Sequence, residues 1–195
     1  MLVVSDAHLG GWSDGARGRE REELVENDLV DMLEHAVRIG LEPVFAGDMF
    51  DYWMEYGSRV PEPGPRFRAV LTRLARQSGP MDMVTGNHDN WTGGYFPERG
   101  VNVHEETVTR EVDAGRILIL HGDGLRDPAY GLPRPPMHRL IRNRQFVAIY
   151  RTLLPPGIGW GLMRWFSARS RRRQVDDPSR LEEASRGWLD AGLAR

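Results

Sequence analysis

Short apolar runs rich in β-branched residues alternate along the chain with longer stretches of helical period. MLVVS at the start, PVFAG at 43–47, MDMVT at 81–85 and RILIL at 116–120 predict buried strands. Residues 19–39 set Leu24, Leu29, Met32, Leu33, Ala36 and Val37 near one helical face, and Gly40 closes that helix. Arg66 to Arg76 repeats the period with Phe67, Val70, Leu71 and Leu74. Residues 57–65 and 127–136 read as proline-glycine loops, and 101–113 as two weaker strands. Helical segments follow near 138–154, 158–172 and 179–193. Alternating strands and helices predict an α/β fold. No apolar run approaches the roughly 18 residues of a membrane span.

The polar residues that end these strands change the picture. LVVS leads to Asp6 and His8, VFAG to Asp48 with Asp51 beyond, MVTG to Asn87, His88 and Asp89, and ILIL to His121 and Asp123. Ligands of open α/β sheets bind outside the carboxyl ends of the strands, so four such ends in one sheet are expected to converge. Neutral imidazole, carboxylate and amide oxygen suit divalent manganese, iron, zinc or magnesium. The two oxygens of Asp48 allow it to bridge two ions. One such residue alone is ordinarily a helix cap or turn residue. Four at matching positions point to a metal site.

The chain has 195 residues, 26 basic and 28 acidic, the length of one domain. It has no cysteine, which excludes disulfides, thiolate metal ligands and cysteine nucleophiles. All 26 basic residues are arginine, ten of them between Arg134 and Arg173, where there is no Asp or Glu. In that segment Phe146, Ile149, Tyr150 and Leu153 recur at helical spacing, with Arg144 and Arg151 on the other side. Trp160, Leu162, Met163, Trp165 and Phe166 follow, then Arg169 and Arg171 to Arg173. Apolar and aromatic residues beside arginine describe an interfacial helix, or else a helical hairpin packed on its own body. No nucleic-acid partner is expected, because the aromatics lie on helix faces rather than spread as a stacking platform. The N-terminus lacks the basic start of a signal peptide, so a cytoplasmic protein is expected.

The ordered motifs Asp6-Ala7-His8, Gly47-Asp48-x-x-Asp51, Gly86-Asn87-His88-Asp89 and His121-Gly122-Asp123 resemble those of calcineurin-like metallophosphoesterases. Their flanks, GDMFDYWMEY at 47–56, GNHDNW at 86–91 and HGDGL at 121–125, are similar to the bacterial UDP-2,3-diacylglucosamine diphosphatases, as is the basic helical insert. The resemblance implies a two-layered β-sandwich flanked by helices. It also implies two divalent metal ions, manganese first among zinc, iron and magnesium. One would sit on Asp6, His8 and Asp48, the other on Asp48, Asn87 and His121. His88 would act on the reacting phosphate with Asp89 orienting its ring, while Asp51 and Asp123 would fix ligand histidines. The implied reaction is hydrolysis of a nucleotide-lipid, UDP-2,3-diacylglucosamine, to UMP and a lipid monophosphate in lipid A biosynthesis. It would take place at the inner-membrane surface, to which the protein would attach peripherally. Residues 134–173 would form a helical lid, with Arg144, Arg151, Trp160, Trp165 and Phe166 toward substrate or bilayer. Two rival readings remain: a phosphodiesterase or phosphatase acting on a soluble ester, and a catalytically impaired membrane-surface binding module. The family's late Gly-His-x-His has no counterpart, since the six histidines include no His-x-His pair. The expectation is one domain over 1–195, C-terminally truncated, with three protein ligands for each metal.

Overall fold

The computed structural model describes residues 1–12, 15–113, 115–122 and 136–176, with side chains through Arg169. In chain order the elements are β1 (Leu2–Val4), α1 (Gly15–Arg38), β2 (Pro43–Ala46), α2 (Pro65–Ser78), β3 (Met81–Val84), β4 (Val101–His104), β5 (Thr107–Val112), β6 (Gly115–Leu120), α3 (Pro136–Ile141), α4 (Arg144–Leu153) and α5 (Pro156–Asp176). A single 3₁₀ turn, Pro97–Arg99, precedes β4.

Strands β1 to β4 form one parallel sheet in sequence order. Every residue of β2 and β3 is buried, as their unbroken apolar runs require when both faces are covered. Strand β1 lies at the edge, and its Val3 is exposed. Helices α1 and α2 cover one face, enclosing Leu29, Leu33, Phe45, Phe67, Leu71 and Met83. The phase of α1 differs slightly from expectation: the helix begins at Gly15, and Leu24 is exposed while Val30 is buried. The glycine-led start of α2 has no side-chain cap of its own. Glu26 of α1 supplies it, accepting from the Arg66 and Phe67 amides at 2.7 and 3.0 Å.

The second layer is an antiparallel hairpin, β5 with β6. Val108 and Ile119 pack there against Val44, Ala46 and Val84 of the parallel sheet. So the two-layered arrangement is present, but the four strands that lead to candidate ligands do not share one sheet. Strand β6 belongs to the second layer, a distinction that an apolar run cannot signal. Buried Asp82 ties the layers together, pairing with Arg110 of β5 and with His104 Nε2 at 2.6 Å.

The expected helix over 138–154 is divided. Asn143 stands at its middle in extended conformation, and its side chain accepts from the Gln145 and Phe146 amides, beginning α4 anew. The expected helix at 179–193 lies outside the described residues. Among the described residues no helix is long and apolar enough to cross a membrane.

Candidate metal centre

The loops after β1 and β2 continue the strand pairing beyond the sheet. Asp6 N donates to Gly47 O, His8 N to Asp48 O, Leu9 N to Met49 O and Asp51 N to Leu9 O, all within 2.9–3.1 Å. Asp6, His8 and Asp48 have φ of 55°, 47° and 52°, and among the described residues they alone are non-glycines with positive φ. Such conformations cost about 1–3 kcal/mol each and persist only where the surroundings impose them. The imposition comes from the buried stretch 47–54. Met49, Phe50, Trp53 and Met54 are fully buried, with Phe50 and Trp53 stacked against Phe96. These flanking residues, seen in the sequence only as marks of resemblance, anchor the ligand loop in the core.

Asp48 is the hub. Its Oδ2 lies 3.3 Å from His121 Nε2, 3.8 Å from His8 Nε2 and 3.9 Å from His88 Nε2. Its Oδ1 accepts from the His88 amide at 2.9 Å. His121 Nδ1 donates to the Ala46 carbonyl at 3.0 Å and His88 Nδ1 to the Asp51 carbonyl at 2.8 Å, so Nε2 of each ring is left to face Asp48. His8 Nε2 also lies 4.0 Å from Asp6 Oδ1, and its Nδ1 lies 3.4 Å from Asp51 Oδ1. Asp51 thus lies beside both His8 and His88. Asn87 is half-buried in the turn after β3. Two glycines make room: a Cβ on Gly86 would lie 2.0 Å from Asp48 Oδ1, and one on Gly47 2.6 Å from the His121 ring.

Asp89 does not orient His88. Its carboxylate accepts from the amides of Gly86, Met49 and Phe50, binding the β3 turn to the β2 loop. Burial and the neighbouring Asp48 charge push it up to about 6. Burial also pushes Asp48 up, but the His121 hydrogen bond and the fields of His88 and His121 hold it at about 2. Burial lowers His121, and Asp48 more than reverses this, raising it to about 9. Positive charge therefore gathers beside Asp48 even in the bare protein, where a cation's charge would stand.

This donor set fits a divalent cation. His8, Asp51 and His88 form one close group, and Asp6, Asp48 and His121 a second, each with donor atoms within 4.8 Å of one another. Two donors on one ion at about 2.1 Å lie roughly 3–3.5 Å apart, near the spacings around Asp48 Oδ2. Asp123 lies outside the described residues.

Of the basic-segment residues, Trp160 turns inward and donates from Nε1 to the Met54 carbonyl at 2.9 Å. Arg151 is half-buried and donates to the Trp91 carbonyl at 2.9 Å. Arg144, Trp165 and Phe166 are exposed. Two contacts carried no sequence signal. Glu22 of α1 accepts from the Gly10 and Trp12 amides, pinning the loop beyond His8. Arg142 donates to the Thr85 and Glu105 carbonyls at 3.0 and 2.6 Å, holding the α3–α4 corner against the ends of β3 and β4.

The chain is similar to curated proteins that share one name. The chain is 32% identical over 178 residues to the UDP-2,3-diacylglucosamine hydrolase of Porphyromonas gingivalis, covering 88% of this chain and 63% of the relative. It is 33% identical over 156 residues to the protein of the same name from Proteus mirabilis, covering 78% and 60%. Its motifs resemble those of the metallophosphoesterases, and its α/β architecture of a parallel and an antiparallel sheet with helices is consistent with their fold. A third protein of that hydrolase name, from Shigella sonnei, matches at 32% over 107 residues. The chain spans about three fifths of the length of the first two relatives. No family model matches it.

Proposed function

We propose that this chain is a metallophosphoesterase that hydrolyses the pyrophosphate bond of UDP-2,3-diacylglucosamine to UMP and a lipid monophosphate. The observation that carries the reading is the convergence of three imidazole Nε2 atoms on one oxygen of Asp48. The relatives' shared name supports the choice of substrate. In this reading Asp6, His8 and Asp48 hold one divalent ion, and Asp48, Asn87 and His121 a second, manganese being the first choice. Two such ions supply an activated water and neutralise charge on the phosphate oxygens. His88 faces the reacting phosphate with Nε2, its ring fixed by the Asp51 carbonyl and its proton held on Nδ1. Burial lowers its pKa, so near neutral pH it is neutral and its unprotonated Nε2 accepts a hydrogen bond from the attacking water. Asp51 orients His8 from the side opposite Asp48. Helices α3 to α5 act as a lid on the site, and exposed Trp165 and Phe166 meet acyl chains or bilayer at the membrane surface.

The test is release of UMP from UDP-2,3-diacylglucosamine with and without added manganese, for the wild type and Asp48→Asn. Manganese-dependent release that Asp48→Asn abolishes is expected. Hydrolysis of p-nitrophenyl phosphate with no UMP release would instead favour a soluble phosphate ester as substrate.

A further inference from the structure

The turn that carries Asn87 and His88 is gripped at both ends by the basic helical segment. At its start, Thr85 gives its amide to the His104 carbonyl, and its own carbonyl accepts from Arg142 Nη2 at 3.0 Å. Nη1 of the same guanidinium donates to the Glu105 carbonyl at 2.6 Å. A guanidinium is a rigid fork, so two acceptors fix its plane. At the other end, the Trp91 carbonyl accepts from Arg151 of α4 at 2.9 Å and from the Glu55 amide at 3.1 Å. The Trp91 indole donates to the Ile141 carbonyl, and its ring meets Tyr150 edge-on at 5.0 Å. The two arginines stand on one piece of structure, because the Asn143 cap starts α4 directly after Arg142.

Between its ends the turn rests on the loop after β2 and on itself. Gly86 N donates to Asp89 Oδ1 at 2.7 Å, His88 N to Asp48 Oδ1 at 2.9 Å, and Trp53 N to the His88 carbonyl at 2.9 Å. We propose that Arg142 and Arg151 are positioning residues of the candidate metal centre: they clamp the carbonyls of Thr85 and Trp91 and so hold Asn87 and His88 in register with Asp48. The proposal rests on the metal-centre reading above and gives the helical segment a second task, as a strut as well as a lid. Both arginines are half-buried, and hydrogen bonds from a charged donor are roughly twice as strong as neutral ones. Groups that orient ligands without touching the ion govern metal affinity by about 10–100-fold. The clamp acts one step further out, through the backbone of the turn, and reaches both ends of it at once.

Hydrogen exchange read by NMR on the whole metal-free chain measures the clamp directly. In Arg142→Met and in Arg151→Met the Gly86 and His88 amides should exchange at least tenfold faster than in the wild type, with the amides of α1 and α2 unchanged. Arg142→Lys keeps the charge and the stem but cannot reach two carbonyls with a fork. It should fall between the two, and with Arg151→Met it carries the test if Arg142→Met does not fold. Arg139→Met, at an exposed arginine of α3, is the control. Manganese affinity by isothermal titration should fall about 10–100-fold in the Met variants. Their kcat on p-nitrophenyl phosphate should fall at least tenfold with KM within twofold, the mark of misplaced reacting groups rather than lost substrate contacts. Wild-type exchange at Gly86 and His88 in every variant overturns the proposal, as do amides there already unprotected in the wild type. A loss confined to KM for UDP-2,3-diacylglucosamine overturns it too, since the arginines would then be substrate contacts. Faster exchange in the variants of a chain that binds no manganese sinks the metal-centre reading and leaves the clamp on the turn standing.

Discussion

Gly86→Ala tests the metal centre without touching a ligand. The added Cβ would lie 2.0 Å from Asp48 Oδ1 and 2.7 Å from both the Asp48 carboxyl carbon and its backbone nitrogen. Relief of that contact requires the Asp48 carboxylate to move by at least about 1 Å. The residue has little freedom to do so gently. It is buried, its backbone is held at φ 52°, and its Oδ1 is bonded to the His88 amide. Losing that charge-assisted bond costs about 1.5–3 kcal/mol. For a chain of this size the loss is about 3–12 °C in melting temperature. A displacement of 1 Å in reacting geometry costs on the order of 10²-fold in rate. The expected variant is therefore folded, melts somewhat lower, and has lost most of its manganese affinity and at least 100-fold in turnover. Isothermal titration with manganese and hydrolysis of p-nitrophenyl phosphate measure both. Gly157→Ala is the control, since its Cβ meets nothing within 4 Å. If Gly86→Ala bound manganese as the wild type does and kept turnover within threefold, the hub role of Asp48 would be refuted.

Glu26→Ala should remove the cap of α2 and lower stability by about 1–2 kcal/mol, read by urea unfolding, with manganese affinity unchanged. Trp165→Ser with Phe166→Ser should leave stability within about 0.5 kcal/mol, since both side chains are exposed, yet weaken sedimentation with anionic vesicles; equal vesicle binding would reject the surface role. Manganese at 100 times its dissociation constant should stabilise the wild type by about 2.7 kcal/mol in thermal melts, and Asp48→Asn should lose that gain.

The ligand-bearing strand ends were legible because buried parallel strands are short, apolar and ended by polar residues whose chemistry is recognisable one at a time. What the period could not tell was which layer each strand joins, so β6 appeared equivalent to β2 and β3. The role of Asp89 was hidden for a related reason. Two of its three partner amides lie about forty residues away, and proximity in sequence favoured His88 instead. Asn143 was lost inside an amphipathic run, because a cap differs from an ordinary polar position only in its backbone. Trp160 was grouped with Trp165 by type, although one faces the Met54 carbonyl and the other faces solvent. The cap on α2 comes from another helix, which no reading of residues 60–70 alone would find.

The thin packing between the layers has a kinetic consequence. His121 is carried by a hairpin that meets the parallel sheet through a small cluster, Val108 and Ile119 on Val44, Ala46 and Val84, reinforced by the Asp82–Arg110 pair. The sheet and its two helices share a much larger core. Local opening follows the weaker packing, so the hairpin should separate from the sheet long before the sheet itself unfolds. An ion shared by His121 and Asp48 would fasten the two layers together, and its residence time would be set by how often the hairpin lifts rather than by ligand chemistry alone.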